Sequence, residues 1–164
     1  MTPISAAEAA FTPISTDEEI RQRVDDLVGR ACVRQLWFFF LDDDDIQLPL
    51  IIPLADHPFD DLARGSQLES RSVVEVATTL VAFAALQMAD IPAAKVVLVW
   101  ERYQNATLAK QDGRWARQVA EAFHDAGLEL RGQLLSYRRG VRWLAPEEYG
   151  MSATSDPATP LPHP

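Results

Sequence analysis

The chain has 164 residues, 48% of them hydrophobic and 24% charged, with a formal net charge of -9. That length accommodates a single core and a single domain, and the balance excludes a disordered or fibrous chain. The acidic excess argues against unspecific binding to duplex DNA or an anionic membrane, because both need a surplus of Lys and Arg.

Residues 1–15 carry Pro3 and Pro13 without a sustained period and read as a disordered arm. Thr16 and Glu19 have capping-box spacing, and Ile20, Val24, Leu27 and Val28 follow at helical spacing until Gly29 offers a stop. Ala31 to Leu41 then has apolar residues on both alternating faces, Val33, Trp37, Phe39 and Leu41 on one and Leu36, Phe38 and Phe40 on the other. A strand of that kind is covered on both sides. Four adjacent acids, Asp42 to Asp45, separate it from the apolar run Ile46 to Leu54, which predicts a hairpin. Adjacent side chains on a tight turn diverge into water, so no cation site is expected there.

In the second strand Pro49 and Pro53 remove amide hydrogens on the same side, so this strand is expected at a sheet edge. Its apolar side chains need a cover, either the Asp56 to Leu68 loop or a second molecule. Ser70 or Ser72 caps a nearly buried helix running to Met88, short and too interrupted by polar residues for a membrane span. Lys95 to Trp100 reads as a buried strand with a parallel neighbour, and Asp112 caps or opens an amphipathic helix that Gly127 ends. Leu128 to Ser136 and Val141 to Leu144 form a last hairpin around Tyr137 to Gly140. The expected order is helix, hairpin, helix, strand, helix, hairpin, a three-layer α/β/α sandwich with a mixed sheet of about five strands. One domain spans 16–149, followed by a disordered Pro-rich tail, 150–164, in which Pro157 and Pro160 have PxxP spacing.

Glu8 is the only charged side chain among the first ten, unlike a signal peptide, and the single Cys32 excludes an internal disulfide, so a cytoplasmic location is expected. Phosphate-loop, dinucleotide, nucleophile-elbow, zincin and CxxC patterns are all missing from the sequence, and neither a cofactor nor a metal is expected. Cys32 with His57 or His124 offers a dyad on paper, but a thiol on a covered strand reads as structural, and His163 falls in the tail. The polar loop after Trp100 is the better candidate, since α/β sheets place sites at the carboxyl ends of their strands. It supplies Glu101, Arg102, Tyr103, Asn105 and Asp112. Glu101 and Asp112 are an acid and base pair if they converge; otherwise Asp112 is a helix cap and Glu101 pairs with Arg102 or Arg142.

The run V-L-V-W-E-R, the polar loop, Asp112, then A-F-H-D-A-G-L, E-L-R-G-Q-L-L-S and G-V-R-W-L-A-P-E-E-Y resembles the back half of RadC-type members of the JAB/MPN metalloprotease-like superfamily, over about Val33 to Tyr149. The family's zinc motif, laid on Asp112, puts Val99 and Glu101 at its histidines and Ala109 at its serine. Valine and alanine donate no electrons to a metal, so the resemblance implies a metal-free pseudoenzyme with a JAB/MPN-like fold.

Charge is unevenly spread: residues 1–100 sum to -9 and residues 101–164 to zero. Arg102, Arg114, Arg117, Arg131, Arg138, Arg139 and Arg142, with Tyr103, Tyr137 and Trp143, form a candidate patch for a phosphate, a single strand or an acidic partner. The expected function is a non-catalytic binding or assembly module, partnered by a protein or by a second copy through the edge strand 46–54, with no membrane and no nucleic acid. The candidate ligand or partner site is Glu101, Arg102, Tyr103, Asn105, Asp112, Arg138, Arg139 and Arg142. Two alternatives stay open: a metal-independent enzyme using the Glu101 to Asp112 loop, and a nucleic-acid accessory using the late arginines.

Overall fold

The computed structural model of the chain describes residues 11–55, 70–103, 105–108 and 110–151. Helix α1 (Asp17–Val28) begins at the expected capping box, in which the Thr16 hydroxyl accepts from the Glu19 backbone and the Glu19 carboxylate accepts from the Thr16 backbone. Strand β1 (Gln35–Leu41) and strand β2 (Gln47–Ala55) form the first hairpin, followed by α2 (Ser70–Ala89), β3 (Lys95–Glu101), α3 (Lys110–Asp125), β4 (Glu129–Tyr137) and β5 (Gly140–Trp143). A short 3-10 helix, Pro146–Tyr149, follows. The sheet order is β2-β1-β3-β4-β5, with β3 and β4 parallel and every other pair antiparallel.

Alternation along the strands divides the core in two. Leu36, Phe38 and Phe40 of β1 and Val96, Leu98 and Trp100 of β3 face α2 and α3, where they meet Ala77, Val81, Trp115, Val119 and Phe123. Phe39, Leu41, Val97 and Val99 face the other way and pack with Ile20 and Val24 of α1. Each fully buried side chain of this size contributes roughly 1.5–3 kcal/mol, which accounts for the continuous apolar runs of β1 and β3. Polar groups within the larger core are matched: the Trp100 indole donates to Gln133 Oε1 at 2.8 Å, and Gln133 Nε2 donates to the Ala116 carbonyl at 2.9 Å, tying sheet to α3.

Two details hold the far edge of the sheet to α1. Gly132 leaves room for the Trp143 ring, since a Cβ there would lie 2.4 Å from Trp143 Cζ3. The same indole donates to the Asp17 carbonyl, while the Arg131 guanidinium sits 5.4 Å from its ring centroid.

The first strand starts later than the sequence pattern indicates. Ala31 to Arg34 form a loop across the end of the sheet, so Val33 is 54% exposed and Cys32 is an exposed thiol, where a covered strand and a structural thiol were expected. The physical reason is that the amides of Cys32 and Val33 find a side-chain acceptor, described below, in place of a neighbouring strand. Asp112 is not a cap but lies within the first turn of α3. No described helix is long and apolar enough to cross a membrane. Of the arm expected over 1–15, residues 11–15 are described and are tied down: Ile14 is buried against α1 and its backbone donates to the Asp45 carbonyl at 2.9 Å. Residues 1–10, 56–69 and 152–164, with His57 and His163, lie outside the described residues.

Candidate functional site

The carboxyl ends of β3 and β4 lie side by side, Glu101 opposite Ser136. Because β3 alternates, Glu101 follows Val97 and Val99 onto the α1 side of the sheet, whereas Arg102 leads into the loop below α3. Glu101 is 3% exposed. Its Oε1 accepts from the Cys32 and Val33 backbones at 3.1 and 3.2 Å, and its Oε2 accepts from Gln35 Nε2 at 3.0 Å and Trp37 Nε1 at 2.8 Å. Burial pushes its pKa up, but these four donors together outweigh burial and hold the carboxyl below its ordinary range. Glu101 is therefore a staple, ionised at neutral pH, between the 31–34 loop, β1 and β3.

Asp112 is on the other side of the sheet. It is 2% exposed and bonded to Arg102, itself 2% exposed, whose second terminal nitrogen donates to the Thr107 carbonyl. The loop between β3 and α3 is thus pinned across its width by one guanidinium. Glu101 and Asp112 thus lie on opposite sides of the sheet, each hydrogen-bonded to partners of its own, and do not show the convergence that an acid and base couple requires. The hydrogen bonds to Glu101 described above come from backbone, amide and indole groups, while Arg102 binds Asp112 and Arg142 binds Glu148.

The rest of the candidate residues divide into two groups. Arg142 donates to the Ala106 carbonyl from two nitrogens and forms a two-point pair with Glu148, whose carboxyl is held below its usual range chiefly by that arginine. Asn105 accepts from the Thr107 backbone and shapes the same loop. Tyr103, Arg138 and Arg139, in contrast, are exposed. Among the other late arginines, Arg117 pairs with Glu121 and Arg131 with Asp17, so the seven do not make one patch.

The register taken from the zinc motif does not converge either: Val99 and Glu101 face α1 and Asp112 faces the opposite layer, while Ala109 is outside the described residues. Among the described residues no three His, Cys, Asp or Glu side chains cluster as metal ligands. A groove of about 670 Å³ that the sequence did not announce opens elsewhere, between α3, the first half of β4 and the 3-10 helix, and is lined by His124, Leu130, Arg131, Trp143, Tyr149 and Met151. Comparison of the chain with protein-family models, with curated proteins and with solved structures finds no match.

Proposed function

We propose that the protein is a non-catalytic binding or assembly module that works in the cytoplasm and associates with a second copy of itself along β2. The observation that carries this reading is the position and chemistry of that strand. It is the outer edge of the sheet, nine residues long, and Leu48, Leu50, Ile51, Ile52 and Leu54 remain only half-buried with Pro49 and Pro53 exposed beside them. A long apolar edge is a template for association, while the two prolines withhold the donors that a further hydrogen-bonded strand requires. The contact is therefore side chain against side chain. The engagement of Glu101 and Asp112 in the fold speaks for this reading over a metal-independent enzyme of the same loop. A RadC-type scaffold without zinc ligands is compatible with it.

Light scattering coupled to size exclusion tests the reading. Wild type at tens of micromolar is expected to run as a dimer, and Pro49→Glu/Pro53→Glu, altering exposed positions only, as a monomer whose circular dichroism spectrum is that of wild type. A monomeric wild type, or a double variant that stays dimeric, overturns it.

A further inference from the structure

Folding brings one arginine from the first third of the chain to the arginines of the last third. The Ala31 backbone donates to the Tyr137 carbonyl at 3.1 Å, and the Ser136 hydroxyl donates to the Gly29 carbonyl, which sets Arg30 beside the Arg138–Arg139 turn. The Arg102 backbone donates to the Ser136 carbonyl at 3.0 Å, so Tyr103 emerges next to the same turn. Arg30, Arg138 and Arg139 are exposed, and no ion pair among the described residues involves them. Tyr103 is 67% exposed. Glu101 at the end of β3 and Asp112 in the first turn of α3 are buried and engaged, so these carboxylates do not neutralise this surface from within.

The opposite end of the sheet has the reverse sign. The β1–β2 turn presents Asp43 and Asp44 to water, and Glu129 opens β4 beside it. A chain of net charge -9 thus carries three exposed guanidiniums, those of Arg30, Arg138 and Arg139, together at the carboxyl ends of the two parallel strands, the place where α/β sheets receive ligands. The segment that follows Arg30 is held by the backbone bonds of Cys32 and Val33 to Glu101 and by that of Ala31 to Tyr137, so the backbone that carries Arg30 is fixed beside the turn before any ligand arrives.

We propose that this end of the molecule binds a single-stranded oligonucleotide, with Arg30, Arg138 and Arg139 on successive phosphates and Tyr103 stacked on a base. Guanidinium forks match phosphate oxygens in two-point geometry, and an exposed phenol ring offers a base a flat apolar face, a feature that an acidic peptide does not use. The acidic remainder of the surface repels a duplex, which presents phosphates over a broad front, and leaves the narrow arginine end to a strand. This surface is distinct from the β2 edge, and its test does not depend on oligomeric state.

The test is fluorescence anisotropy with a labelled oligothymidylate of about a dozen nucleotides, titrated with the full chain across a salt series. Three phosphate contacts on a single strand give a log–log salt slope near -2. Arg30→Ala/Arg138→Ala/Arg139→Ala is expected to lose at least tenfold in affinity at low salt and to flatten that slope, while Tyr103→Ala is expected to lose about fivefold or more with the slope unchanged. All four positions are exposed, and an unchanged melting temperature of each variant confirms that folding is not the cause. Absence of binding by wild type at low salt overturns the proposal. So does equal binding of a polyglutamate of the same charge, which assigns the surface to acidic proteins, and so does a triple variant that binds like wild type.

Discussion

The two ends of the sheet use the same residue types for opposite purposes. At the carboxyl ends of β3 and β4, Glu101, Arg102 and Asp112 are each at most 3% exposed, and their bonds span elements distant in sequence. At the β1–β2 turn, Asp42 folds back on the Asp44 and Ile46 backbones, Asp45 meets Lys95, and Asp43 and Asp44 remain in water. Burial decides what a charge is worth: a pair removed from solvent cannot be broken on one side without stranding the other, whereas a pair at the surface trades partners with water. The first end is therefore rigid and structural inside its shell of exposed arginines, and the second is a solvated acidic turn.

The largest effect should come from breaking the buried pair. Asp112→Ala leaves the Arg102 guanidinium buried without its carboxylate, and a loss of about 3–5 kcal/mol in unfolding free energy by urea denaturation is expected. Asp112→Asn, which keeps an acceptor at the same place, should lose less. If Asp112→Ala unfolds at the wild-type urea concentration, the ion pair is not what holds the loop.

Glu101→Gln comes next. The amide keeps one acceptor oxygen, but its NH2 faces donors, and the Trp37 indole cannot reverse its role as the Gln35 amide can. A cost of about 2–3 kcal/mol at neutral pH follows, as for a hydrogen bond to a charged group lost in a buried site. The pH dependence has a definite sign. A carboxyl whose folded pKa is depressed stabilises fully above its ordinary value of 4.5 and loses that contribution as pH falls through the folded value, so the gap between wild type and Glu101→Gln should narrow below about pH 4.5. A gap that stays constant down to acid unfolding would show that folding does not depress the Glu101 pKa.

Arg142→Ala is expected to cost less, about 1–2 kcal/mol, because its Glu148 partner is exposed and the Ala106 carbonyl can turn to water. Proteolytic nicking in the 103–109 loop is the sensitive readout, since that loop loses one of its two guanidinium anchors.

Local patterns made the architecture legible. The capping box at Thr16, the two-sided apolar run of β1, the prolines of β2 and the parallel setting of β3 all follow from short-range rules, and the mixed five-strand sheet agrees. The site was legible only as an address. The sequence marks a polar loop after a buried strand, yet whether Glu101 and Asp112 share a space depends on which side of the sheet each one takes. That in turn depends on where the strand ends, to a single residue. The Glu101 staple was hidden because its donors come from 64 to 69 positions upstream and two of them are backbone amides that any residue carries. Arg30 was passed over for a similar reason: beside Gly29 it looks like the end of a helix, and only the pairing of Ala31 with Tyr137 joins it to the late arginines.

The smallest effect tests the acidic end. Lys95 and Asp45 are bonded at the mouth of the β1–β2 turn with side chains 20% and 23% exposed, and the hydrogen bond between them lowers the Asp45 pKa and raises that of Lys95. Exposure at that level lets water and salt screen the pair, so Lys95→Met should change stability by less than about 1 kcal/mol, and by less still as salt is added. Because the Asp45 pKa is lowered, whatever the pair contributes is present above the ordinary aspartate value of 3.8 and fades as pH falls through the folded value. Asp45 also adopts a positive φ of 60°, a conformation that aspartate tolerates through local hydrogen bonding, so the turn keeps its shape when the lysine is gone. A loss comparable to that of Asp112→Ala, measured in the same buffer, would mean that the turn is held by its charges rather than by its backbone, and the contrast between the two ends of the sheet would fail.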